Sequence, residues 1–171
     1  MMLEKPNKNN YPEYFEYYIS LAPENILNSL EIQLEDSINF YRSLSSAQLF
    51  SKYEENKWSI QEVIGHCLDV ERIFAYRALR FSRLDQTGLH GYDDNKYIQQ
   101  AFFDEIEIKH LLDEYFHLRK SNIRMFKNFH PSCWSNHGLS SGETMILSAI
   151  PYIIYGHEEH HKRIIRERYL K

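Results

Sequence analysis

The sequence predicts an all-α protein, a four-helix bundle with a long connector between its second and third helices. Three observations predict it. The 171-residue chain holds only six Gly and five Pro, which suits a few long helices better than a many-stranded sheet. Four stretches carry apolar residues at the three- and four-residue spacing of an amphipathic helix. Two of the four open on a Ser followed three residues later by a Glu, the pattern of a capping box.

The first helix is expected over Glu24 to Leu44, directly after Pro23. Ile26, Leu27, Leu30, Leu34, Ile38, Tyr41 and Leu44 share one broad face. The second starts at Ser59, with Glu62 as its capping partner and Trp58 just before it as a hydrophobic staple. Its stripe is Val63, His66, Val70, Ile73 and Arg77, and it ends near Phe81. The connector, about Ser82 to Ala101, holds Asp85, Gly88, Gly91, Asp93 and Asp94. A connector this long joins helices that need not be neighbours, or covers one end of the bundle.

The third helix is expected over Asp104 to Phe129, with Ile108, Leu111, Leu112, Tyr115, Asn122 and Phe126 inward. His130-Pro131 stops it. A short loop with Trp134 and Gly138 leads to the fourth helix, expected from Ser140, with Glu143 as capping partner, to Tyr169. Pro151 lies inside that span and predicts a kink. No internal repeat or low-complexity tract divides the chain, so residues 1–171 are expected to form a single domain.

Composition narrows the function classes. The hydrophobic fraction is 43% and the aromatic fraction 15%, which is globular rather than disordered. The formal net charge is −4 and no long basic run occurs, so no nucleic-acid partner is expected. No apolar run approaches the roughly 18 residues of a membrane helix, so no membrane partner is expected either. Met1 to Tyr14 is polar and does not read as a signal peptide. Cys67 and Cys133 stand in neither metal nor redox spacing, and free thiols predict a cytoplasmic protein.

Of nine histidines, three carry the argument. His157 and His161 are four apart, so they stack on one helix face, which also carries Leu147, Ile150, Ile154, Ile164 and Ile165. Two imidazoles in an apolar stripe are costly unless their nitrogens are satisfied. His66 sits mid-stripe between Val63 and Val70. Any one of them alone reads as a core histidine bonded to a neighbour, and a helix C-terminus also favours histidine. The i, i+4 pair with a third inward histidine points instead to His66, His157 and His161 as ligands of one divalent metal. His160 falls beside the stripe; an i, i+3 pair also meets, so it is an alternative to His157 or His161, ranked below them as a flanking or surface residue. His90, His130 and His137 fall in loops.

Two competing motifs are weaker. His157-Glu158-Glu159-His160-His161 matches the zinc-protease string H-E-x-x-H. The metzincin continuation needs Gly at 164 and His at 167, where Ile164 and Glu167 stand. A di-iron carboxylate bundle needs two inward Glu-x-x-His pairs. Glu107–His110 and Glu114–His117 project from the back of the third helix, leaving only Glu158–His161.

Trp58-Ser59-Ile60-Gln61-Glu62-Val63-Ile64-Gly65-His66 and Gly156-His157-Glu158-Glu159-His160-His161 together resemble the DinB-like superfamily of four-helix metal proteins. Asp69-Val70-Glu71-Arg72, Gly91-Tyr92-Asp93, Trp134, Gly138 and Glu167-Arg168-Tyr169-Leu170 extend the resemblance over most of the chain. The resemblance implies that His66, His157 and His161 are the metal ligands. It implies a metal-dependent thiol S-transferase, using a low-molecular-weight thiol such as bacillithiol or mycothiol, or a metal-dependent hydrolase, in either case acting on a small molecule. Family members without known activity keep open a non-catalytic, stress-related metal-binding bundle. The family also implies a homodimer. The aromatic segment Tyr11, Tyr14, Phe15, Tyr17 and Tyr18 either supplies that contact or folds back on the bundle.

Three protein ligands leave a position open, the catalytic form of a zinc site. Nitrogen ligation fits Zn or Ni first, with Fe or Co as further options. No catalytic base is identified. Glu62 is explained as a capping partner and Asp69 with Arg72 as an ion pair, while Glu158 points about 100° away from His157 around the helix. Tyr92 and Asp93 are expected to reach a pocket at the bundle end.

Overall fold

Caps and turns decide where the helices begin in the computed structural model, which describes residues 3–171; Met1 and Met2 lie outside them. Two turns of 3-10 helix, Lys8–Asn10 and Glu13–Phe15, lead into a short helix, α1 (Glu16–Leu21). α2 (Ile26–Arg42) buries Ile26, Leu30, Leu34, Ile38 and Tyr41, the stripe the periodicity predicts. A one-turn helix, α3 (Ser46–Leu49), follows. α4 (Ile60–Ser82) starts on the predicted capping box. The Ser59 hydroxyl accepts the Glu62 N–H at 3.0 Å, and the Glu62 carboxylate accepts the Ser59 N–H at 2.7 Å.

The connector carries its own helix, α5 (Asp94–Ala101), capped by Asp93, and a 3-10 turn at Phe103–Glu105. Both pack on α4. α6 (Ile108–Lys127) is the third bundle helix. The next segment corrects the sequence reading. Ser140 and Glu143 do not cap a helix; they face each other across a hairpin of β1 (His137–Ser140) and β2 (Glu143–Ile146). Ser141 and Gly142 turn it with φ of 56° and 84°, the left-handed pair that a two-residue hairpin turn requires. β1 lies so close to α4 that a Cβ on Gly138 would sit 1.9 Å from the Phe81 ring.

The fourth bundle helix, α7 (Ala149–Ile164), therefore starts nine residues later than the capping pattern predicts. Pro151 falls in its first turn, where the missing N–H has no intrahelical acceptor to lose. The predicted mid-helix kink loses its cause. A π-helical turn, Ile165–Tyr169, follows.

α2 and α4 each pack on both α6 and α7. The order around the bundle is thus α2, α6, α4, α7, with α2 diagonal to α4 and α6 diagonal to α7. The longest connector joins neighbours, α4 and α6, and covers α4 rather than bridging a distance. The aromatic segment folds back: α1 runs along α7. The approach is close enough that a Cβ on Gly156 would lie 1.8 Å from the Tyr18 carbonyl oxygen.

One polar layer crosses the interior. Arg119 of α6 is 1% exposed. Its Nε donates to both Glu71 oxygens at 2.9 and 3.0 Å, its Nη1 to Gln33 Oε1 at 2.9 Å and its Nη2 to Glu158 Oε2 at 2.7 Å. Each of the four bundle helices gives one member.

Candidate metal centre

His66 comes from α4, and His157 and His161 from the adjacent α7. Their Nε2 atoms turn toward one point. His157 Nε2 stands 3.1 Å from His66 Nε2 and 3.2 Å from His161 Nε2, and all three donor atoms lie within 4.8 Å of one another. The spacing follows from the two helices: i, i+4 stacks the α7 pair, and the α4–α7 contact brings His66 across. Aromatic rings wall the cluster, Trp58 against His66 at 4.8 Å and Tyr18 against His157 at 5.4 Å between centroids.

Electrostatics keeps these nitrogens neutral. Burial pushes the pKa of His157 and His161 well down, and neighbouring imidazoles push further in the same direction. Burial also lowers His66, against an opposing pull from Asp94. The His66 Nδ1 stands 3.6 Å from Asp94 Oδ1. That carboxylate favours the proton on Nδ1 and leaves the Nε2 lone pair free, the tautomer a ligand needs. Asp94 Oδ1 is itself buried and has no hydrogen-bond partner among the described residues.

The donor set fits a divalent metal. Three mutually close Nε2 atoms cannot all satisfy one another, because in neutral imidazole each Nε2 is either an N–H donor or a lone-pair acceptor and at least two of the three must be alike. Two metal–nitrogen bonds of about 2.1 Å at a tetrahedral angle hold their nitrogens about 3.4 Å apart, close to the spacing found here. The cluster borders a cavity of about 370 Å³, so a fourth position faces open space.

The remaining predicted residues fall in place around it. His160 is half-buried against Tyr17 and Tyr18, outside the converging set. Glu158 turns away to Arg119 and Tyr115, which removes the base from the H-E-x-x-H string. Glu62 caps α4 and pairs with Lys52 at 3.1 Å. Asp69 pairs with Arg72 at 3.7 Å, and Arg72 with Glu114. His110, His117, Glu107 and Glu114 are exposed. Tyr92 lines the cavity, whereas Asp93 is spent on capping α5. The neighbour that does reach the histidines is Asp94, which sequence reading missed. Its signal was faint, a second Asp at the start of a short helix.

A four-helix bundle whose core ends in three converging histidines defines a class of helical bundle with a candidate metal site between helices. Within that class, this chain belongs to the DinB superfamily, whose family model matches residues 29–165. Two solved structures share the fold. YfiT from Bacillus subtilis, described as a probable metal-dependent hydrolase with an unusual four-helix bundle topology, superposes with a TM-score of 0.72 at 15% identity, over 95% of this chain and 90% of that one. The mycothiol-dependent maleylpyruvate isomerase superposes with a TM-score of 0.66 at 14% identity, over 84% of this chain and 61% of the isomerase. At these identities the likeness is one of fold. No curated protein matches the chain significantly. Among the described residues, no helix is long and apolar enough to cross a membrane.

Proposed function

We propose that this chain is a single-domain cytoplasmic protein that holds one divalent metal ion, zinc or nickel, through His66, His157 and His161, and acts on a small molecule in the adjoining cavity. The observation that carries this reading is the convergence of three neutral Nε2 atoms on the wall of an open cavity. A structural site closes with four protein ligands; this one offers three. A metal held there would lower the pKa of a coordinated thiol or water and polarise an electrophile beside it.

The chain's own residues supply the rest. Asp94 orients His66 through Nδ1. Trp58 and Tyr18 flank the imidazoles and keep water from their faces. Asp94 is the one carboxylate among the residues lining the cavity, and it faces His66 Nδ1 at 3.6 Å. With Asp94 turned to His66, no second carboxylate lines the cavity to act as a base. That favours a nucleophile that ionises easily, and a thiol, with an ordinary pKa of about 8.5, ionises far more readily than water. Thiol S-transfer with a low-molecular-weight thiol is accordingly the first reading. Hydrolysis is the second, supported by the description attached to YfiT.

Metal analysis of the purified chain tests the site. The expected result is one divalent ion per chain, lost in H66A, H157A and H161A. A protein that takes up no metal, with all three variants behaving like wild type, overturns it. Screening low-molecular-weight thiols against a model electrophile tests the chemistry. Metal-dependent turnover is expected; metal that only raises the melting temperature would leave a non-catalytic binding bundle.

A further inference from the structure

Three turns along α4 from His66, on the same face, stands Arg77. Eleven residues at 1.5 Å each place the two Cα atoms about 16 Å apart, with Val70 and Phe74 between them. Arg77 is 6% exposed. Its guanidinium lies over the Phe74 ring, 4.8 Å from the centroid, the direction in which helical side chains lean. Its hydrogen bonding is thin: Nη2 donates to Ser141 Oγ at 3.4 Å. Among the described residues no carboxylate reaches it within ion-pair distance.

The contrast with Arg119 is informative. Both arginines are buried, but Arg119 faces two carboxylates and an amide oxygen. Burying an unpaired cation is costly, and burial does lower the pKa of Arg77, with Tyr92 and Tyr14 pulling the other way. Arg77 lines the same cavity as the three histidines. It is the one permanent cation on that lining, opposite an end that carries neutral imidazoles and Asp94. Aromatic side chains, Phe15, Phe74 and Tyr92, form the walls between.

We propose that Arg77 is the anion-recognising group of this cavity, and that its ligand is a small organic acid whose carboxylate pairs with the guanidinium while an apolar body extends along Phe74 toward the histidines. Guanidinium presents paired N–H donors matched to a carboxylate. A single guanidinium, with no second Lys or Arg among the lining residues, matches the one charge of a carboxylate. The inference rests on the reading of this cavity as the substrate site and names the class of substrate.

The test titrates phenylacetate, phenylacetamide and phenyl phosphate into the full chain, as purified and after chelator treatment. The chelated arm removes binding of the carboxylate to a metal. Phenylacetate is expected to bind in both arms. Arg77→Met, which keeps the stem on Phe74, should weaken it at least tenfold, and Arg77→Lys by less, with metal content unchanged in both. Phenylacetamide should bind weakly and equally to wild type and variants. In the unaltered chain, phenylacetate should also protect Arg77 from phenylglyoxal, mapped by mass spectrometry. Unchanged phenylacetate affinity in both variants, absence of protection, or tighter binding of phenyl phosphate in the chelator-treated arm overturns the proposal. Failure of the unaltered chain to take up metal, with Arg77-dependent phenylacetate binding intact, would instead count against the metal reading alone.

Discussion

Asp94 shows what a single side chain adds to the histidine cluster. Its Oδ1 is buried without a hydrogen-bond partner among the described residues and faces His66 Nδ1 at 3.6 Å. Carboxylates in this position fix ligand tautomers, and their loss typically costs tenfold to a hundredfold in metal affinity. Asp94→Asn is therefore expected to weaken metal binding by roughly that factor, read by competition with a chromophoric chelator. Asp93→Ala, one residue away, removes the cap of α5, worth about 1 kcal/mol of local stability, and an exposed 3.8 Å pair with Lys96, and should leave metal affinity unchanged. Equal effects of the two would show that Asp94 acts through α5 and not through His66. The three histidines were legible in the sequence because local helical periodicity decides their faces. Asp94 was not, since its distance from His66 depends on the path of a connector that no local pattern specifies. Arg119 follows Tyr115 by one helical turn, on the inward stripe, yet a charged residue there reads as surface until its buried partners are seen.

The contact between α1 and α7 is the element that closes the histidine cluster from one side. It depends on Gly156, where an added Cβ would lie 1.8 Å from the Tyr18 carbonyl oxygen and 2.5 Å from its carbonyl carbon. Backbone cannot rotate aside as a side chain can, so Gly156→Ala must push the two helices apart. Destabilisation of about 1–3 kcal/mol is expected, as for other overpacking changes. Faster proteolysis after α1, around Ala22, should accompany it, since the segment loses its seat. A variant with wild-type melting temperature and protease resistance would mean that α1 is held elsewhere. The long helices were legible because apolar spacing and the Ser59–Glu62 cap are local signals. The start of α7 was not. Ser-x-x-Glu is shared by helix caps and by hairpins whose turn falls between the two residues, and strand pairing with His137–Ser140 is information that lies outside that four-residue window.

Across the whole bundle, the order α2, α6, α4, α7 leaves two diagonal pairs without extensive contact, and Arg119 ties the four together at one level. Burial alone would lower its pKa; Glu71, Tyr115 and Glu158 more than offset that and hold it charged. Gln33 extends the layer, donating to the Tyr155 carbonyl at 3.0 Å and to Glu159 Oε1 at 2.7 Å. Asn122 completes Glu71 at 3.1 Å. Glu71 follows His66 by five residues on α4, and Glu158 is next to His157 on α7, so the layer sets the register of the two helices that carry the histidines. Arg119→Met should cost about 3–5 kcal/mol, because it strands Glu71 and Glu158 in the interior without a counter-charge. Replacing all three charged groups together, with Arg119→Met, Glu71→Leu and Glu158→Leu, should recover part of that loss, since no buried charge is left unpaired while Gln33, Tyr115 and Asn122 still lose their partners. Denaturant unfolding measures both changes. If the layer exists to fix register, the triple variant will be stable yet bind metal more weakly than wild type. Stability and metal affinity restored together would show that packing alone aligns α4 with α7, and that the charged layer is dispensable for the site.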